Sequence, residues 1–149
     1  MPHHVTHGEG SVALGGRTPI NLVDTQPSAL LYAQMLRQAV EEFTGLRLRL
    51  LRGCAHSGEI TLTQDSGLPG DAYRLSVAPE GVTVRGGSDE ALLHGIMTLR
   101  QWIQRHGSAL PALEVEDAPD MPNRGYYLDC SRGRVPTLET LKKTADLLC

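Results

Sequence analysis

Two stretches of the chain carry helical periodicity, and most of what lies between them alternates. In the first, Ala29, Tyr32, Ala33, Leu36, Val40 and Phe43 recur every three or four residues, with Gln34, Arg37, Gln38 and Glu41 opposite. In the second, the stripe is Leu92, Leu93, Ile96, Leu99 and Ile103. Stripes of this kind lie on a core. Thr25 or Ser28 stands where it can cap the first helix and Ser88 the second, because a side-chain oxygen accepts an orphan backbone N–H. Gly45 and Gly107 stand where helices end. Gly95 falls inside the second helix, where glycine costs roughly 1 kcal/mol against alanine, so close approach to a sheet is expected there. Between the helices, Leu46 to Leu51 alternate with arginines, and Ile60 and Leu62 share one face of Glu59–Gln64. Tyr73, Leu75 and Val77 run into the turn Pro79-Glu80-Gly81 and return through Val82 and Val84, which reads as a hairpin. Leu113 and Val115 suggest a last short strand. Ser11 to Asp24 reads as an extended segment broken by Gly15-Gly16 and Pro19. Two helices separated by a run of strands predict an α+β fold, a mainly antiparallel sheet with two helices on one face.

The 149 residues allow one domain and a short extension. A composition 40% hydrophobic and 21% charged argues against disorder over most of the length. The formal net charge of −3 argues against a nucleic-acid binder. Arg47, Arg49 and Arg52 do cluster, but their alternation with leucines reads as the wet face of a strand. Cys54, Cys130 and Cys149 are odd in number and far apart, which suggests neither a disulfide framework nor a zinc site. No apolar run approaches the length that spans a membrane. The N-terminus lacks the basic-then-apolar pattern of a secretory signal, and the compartment stays open.

Few residues offer chemistry. His3, His4 and His7 lie close together in what reads as a solvated tail, without the fixed ligand geometry of a metal site. There is no HExxH and no GxSxG. Ser131 lacks the glycines of a nucleophile elbow, and Gly86-Gly87 does not match a phosphate loop. Glu114, Glu116, Asp117 and Asp120 read as a solvated strand edge and loop. Pro119 and Pro122 then mark a boundary. Beyond it, Arg124 and Gly125 introduce the apolar segment Tyr126–Asp129, and Pro136 leads into a further helix. Arg124 could present a planar fork of donors to sugar hydroxyls or form an ion pair with nearby acids.

Four pieces, in order, resemble glycoside hydrolase family 20, the β-N-acetylhexosaminidases. Asp71-Ala72-Tyr73-Arg74-Leu75-Ser76-Val77 resembles the family's E-x-Y-x-L strand, and Gly81-Val82-Thr83-Val84 its return strand. His94-Gly95-Ile96-Met97-Thr98-Leu99-Arg100-Gln101 resembles the G-x-x-T-L-x-Q helix. Asp117-Ala118-Pro119, Arg124-Gly125 and Leu128-Asp129-Cys130-Ser131-Arg132 resemble D-x-P…R-G-x-x-L-D-x-S-R. The chain departs from the pattern in carrying Gly133-Arg134 where many members have a histidine or an aromatic. The resemblance implies an N-terminal α+β accessory domain over residues 1–118. It implies that 119–149 are the first strand and helix of a truncated (β/α)8 catalytic domain. It carries to Arg124 a role in binding the terminal N-acetylhexosamine of a glycan. It also implies substrate-assisted retaining hydrolysis, the exception to the two-carboxylate scheme, with no metal or organic cofactor. The Asp-Glu pair that serves this chemistry is expected beyond Cys149, so the 149 residues alone are expected to be inactive. Self-association through the barrel segment, or its docking on the small domain, is expected because a lone strand exposes both edges. The alternative is a non-catalytic module that binds glycans or a partner protein. Neither nucleic acid nor membrane is an expected partner.

Overall fold

The computed structural model describes residues 4–121, 125–129, 133 and 135–148. The chain divides into two compact units, Met1–Pro119 and Asp120–Cys149. In the first unit, strands β1 (His4–Ala13) and β2 (Ile20–Val23) precede helix α1 (Ala29–Thr44). Strands β3 (Leu50–Arg52), β4 (Ile60–Gln64), β5 (Tyr73–Ala78) and β6 (Gly81–Gly86) follow, then helix α2 (Asp89–His106) and strand β7 (Ala109–Asp117). The second unit contains helix α3 (Leu138–Leu148).

The seven strands form one sheet in the order β1-β7-β5-β6-β4-β2-β3. The β1–β7, β7–β5 and β5–β6 pairs are antiparallel, whereas β6–β4, β4–β2 and β2–β3 are parallel. The sheet is therefore mixed, and the expectation of a mainly antiparallel one is corrected. The reason is α1. A crossover of a dozen or more residues can return the chain to run beside the strand it left, and the 16-residue α1 does so between β2 and β3.

Helices α1 and α2 pack against each other and on the sheet. The strands alternate, so Ile20, Leu22, Ile60, Leu62, Leu75, Val84 and Val115 face the helices. There they bury against Leu36, Val40, Leu92, Ile96, Leu99 and Ile103. Burying such a side chain contributes about 1.5–3 kcal/mol, so this one layer holds the unit together. Gly95 lies where α2 packs closely on the sheet. A Cβ there would stand 2.6 Å from Val84 Cγ1 and 3.0 Å from Tyr73 Cδ2. The ends of α2 are as expected: the Ser88 side chain accepts from Ala91 N–H at 3.2 Å, and Gly107 closes the last turn. Gly45 ends α1 in the left-handed region, at φ 73°. Ser28 occupies the cap position of α1 without capping it, and donates to Asp89 instead.

Two local expectations are corrected. His4 and His7 do not lie in a tail, because β1 begins at His4 and pairs with β7. The leucine–arginine alternation forms a strand only from Leu50. Leu48 is already buried, so side-chain burial begins before the backbone finds its partner in β2.

Candidate functional site

The second unit carries the residues that the sequence singles out. Arg124, the expected sugar-binding residue, lies outside the described residues, as do Cys130, Ser131, Arg132 and Arg134. The segment 125–129 takes neither helical nor strand form, so the expected strand Tyr126–Asp129 is not formed. A strand is held by a neighbouring strand, and the described residues of this unit contain no second one. Tyr126 and Tyr127 are exposed. The helix after Pro136 does form. Thr137 Oγ1 accepts from Thr140 N–H at 3.2 Å and caps it, and Glu139 and Lys143 pair one turn apart at 2.9 Å. Leu138, Leu141 and Leu147 of α3 are exposed.

In the first unit Glu114, Glu116 and Asp117 have structural partners. Glu114 accepts from the Ser76 hydroxyl, and Arg74 Nε stands 2.8 Å from Glu116. Asp117 accepts from the Tyr73 hydroxyl at 3.2 Å, and that hydroxyl also bonds Thr98 Oγ1 at 2.7 Å. Burial, reinforced by the nearby Asp117 charge, pushes the Tyr73 pKa up to about 12 against the opposing effect of the Thr98 bond. The adjacent acids Asp89 and Glu90 begin α2, where the macrodipole favours them. Asp89 also accepts from Gln64 Nε2 at 2.6 Å. Among the described residues no group of three or more His, Cys, Asp or Glu side chains could hold a metal ion. No helix there is long and apolar enough to cross a membrane.

One feature was invisible in the sequence. The sheet face away from the helices carries a cavity of about 380 Å³, lined by Thr61, Thr63, Ser76, Thr83, Arg85 and the loop residues His56, Ser57 and Glu59. The loop after β3 brings Glu59 against this face. Asn21 Nδ2 donates to Glu59 Oε2 at 2.9 Å and to the Cys54 carbonyl at 2.7 Å. The His56 backbone N–H donates to the same carboxylate oxygen at 3.2 Å. Asn21 and Glu59 are almost fully buried, and buried polar groups persist where such bonds are made. Their separation by 38 positions is why no local spacing reveals them.

A family model described as glycosyl hydrolase family 20, domain 2, matches residues 1–118. The chain belongs to glycoside hydrolase family 20. It is 30% identical over 135 residues to a β-N-acetylhexosaminidase of Cellulomonas fimi, covering 87% of this chain and 27% of that protein. It is 35% identical over 81 residues to a β-hexosaminidase of Akkermansia muciniphila, covering 52% of this chain and 16% of that protein. The solved family 20 β-N-acetylhexosaminidase of Streptomyces coelicolor superposes with a TM-score of 0.83 at 28% identity, covering 98% of this chain and 31% of that one. The chain thus spans less than a third of the length of each of these relatives.

Proposed function

We propose that this chain is the N-terminal part of a β-N-acetylhexosaminidase that removes terminal N-acetylhexosamine from glycans. Residues 1–118 are its accessory domain. Residues 119–149 take up the first strand and helix of a (β/α)8 barrel once further strands are present to pair with. The observation that carries the reading is the family match over residues 1–118, followed by the ordered motif from Arg124 to Arg132. In this reading Arg124 holds hydroxyls of the terminal sugar through its planar fork of donors. The substrate's acetamido oxygen attacks the anomeric carbon, and the Asp-Glu pair that assists it lies outside these residues. The acids present support this division, since Asp89, Glu114, Glu116 and Asp117 have structural partners. No cofactor takes part. The exposed leucines of α3 and the exposed Tyr126 and Tyr127 provide the surface through which the 149-residue chain self-associates.

The test compares release of p-nitrophenol from p-nitrophenyl N-acetyl-β-glucosaminide by the 149-residue chain and by the full product of its gene. The short chain is expected to release none and the full product to turn over. Arg124→Gln in the full product removes a charged hydrogen-bonding partner of the sugar, an interaction of about 1.5–3 kcal/mol, so kcat/KM falls roughly 10- to 100-fold. Hydrolysis by the short chain, or an unchanged kcat/KM in the Arg124→Gln enzyme, would overturn the proposal.

A further inference from the structure

The open sheet face has an order that follows from strand register. Glu114, Ser76, Thr83, Thr61 and Asn21 stand opposite one another across five successive strands, β7, β5, β6, β4 and β2. Neighbouring strands lie about 4.8 Å apart, so this is a straight polar row crossing the sheet. Glu116, Arg74, Arg85 and Thr63 make a second row beside it. The outer members of these rows are occupied by one another, through Ser76–Glu114 and Arg74–Glu116. The middle is different. The hydroxyls of Thr61 and Thr83 have no hydrogen-bond partner among the described residues, and both line the cavity.

The cavity has distinct ends. At one end Glu59 is fixed through Oε2, while Oε1 stands 3.6 Å from the exposed His56 imidazole. At the other end Arg85 is held loosely by Asp65, at 3.8 Å. Glu59 directly precedes Ile60, which faces Val82, and Thr63 faces Arg85. Four residues of strand therefore separate the ends, about 13 Å at 3.3 Å per residue. That is the reach of a short oligosaccharide rather than of one sugar.

We propose that this cavity binds a short N-acetylhexosamine oligosaccharide. Neutral donors hold the Glu59 carboxylate and Asp65 balances Arg85, so a neutral ligand satisfies both ends without stranding either. The Glu59 carboxylate accepts from hydroxyls, Arg85 donates to ring or acetamido oxygens, and Thr61 and Thr83 do both. None of the lining side chains is a phenylalanine, tyrosine or tryptophan. Stacking on such rings is absent, and affinity rests on hydrogen bonds exchanged with water, which predicts binding in the millimolar range. The sugar class rests on the proposed function; the polar row does not.

The test uses the 149-residue chain, isotope-labelled and titrated with triacetylchitotriose while backbone amide shifts are followed. Saturable shifts at residues 59–63 and 82–85 are expected. Thr61→Val combined with Thr83→Val, which keeps side-chain shape and strand preference, should weaken binding at least fivefold with the rest of the amide spectrum unchanged. Absence of saturable shifts there with ligand carried well above the millimolar range, or equal binding by the double variant, overturns the inference. Maltotriose serves as the control for sugar class, and binding equal to that of triacetylchitotriose overturns the assignment to N-acetylhexosamines. Since the readout needs no catalysis, it stands apart from the hydrolysis assay. A full product that hydrolyses substrate while the short chain shows no shifts refutes the cavity alone, and shifts without hydrolysis refute only the enzymatic reading.

Discussion

At Gly95 two residue-level effects oppose each other. Alanine would improve helix propensity by about 1 kcal/mol, but its Cβ would enter Val84, which is fully buried and has nowhere to move. Overpacking of this kind costs about 1–3 kcal/mol. Gly95→Ala is therefore expected to lower stability, seen as a lower urea midpoint with an unchanged slope. Tyr73 makes a prediction with a definite pH window. Its folded-state pKa, about 12, lies above the ordinary 10 of the unfolded chain. The folded state thus holds the proton more tightly, so stability is intact below pH 10 and falls as pH rises from 10 to 12. Tyr73→Phe should abolish that part of the decline while losing about 1 kcal/mol near neutrality from the bonds to Thr98 and Asp117. Urea midpoints of both proteins between pH 7 and 12 check both halves. Gly95 was legible because a glycine inside a helical stripe demands a reason, and packing supplies it. The Asn21–Glu59 contact was not, since neither residue belongs to a motif and the chain between them runs through α1, β3 and the loop before β4.

For single elements, the two helix starts form a natural control. Ser88 caps α2 with its side chain, whereas Ser28 does not cap α1. Ser88→Ala should cost about 1 kcal/mol, and Ser28→Ala should cost less, since its bond to Asp89 lies exposed. Thermal melts of the two variants side by side decide this, and equal losses would contradict the assignment. The helices were the readable elements because each buries one face, and a period near 3.6 survives in the residue order. The β5–β6 hairpin was readable from its turn. Strand β1 escaped notice for the opposite reason. Nearly all of it is exposed, so His4-Val5-Thr6-His7-Gly8-Glu9-Gly10 has no buried face to impose an alternation. Parallel pairing escaped because strand periodicity is the same in either direction. Only the length of α1 between β2 and β3 signalled it.

On the scale of the whole molecule, the two units differ in what they bury. The first encloses a continuous apolar layer, and the described part of the second leaves its large apolar side chains exposed. A chain ending at Pro119 is expected to unfold cooperatively with a midpoint close to that of the 149-residue protein. It should also lose the proposed self-association, measured as a concentration-independent mass by light scattering. A broadened transition or a large drop in midpoint would show that the second unit supports the first. The pairing of β1 with β7, which sets His4 opposite Glu116, has a temporal consequence. The first strand of this unit to leave the ribosome is held by the last. During synthesis β1 has no partner until β7 clears the exit tunnel. Long-range closure of this kind slows folding, so the nascent domain keeps one side open until it is almost entirely made.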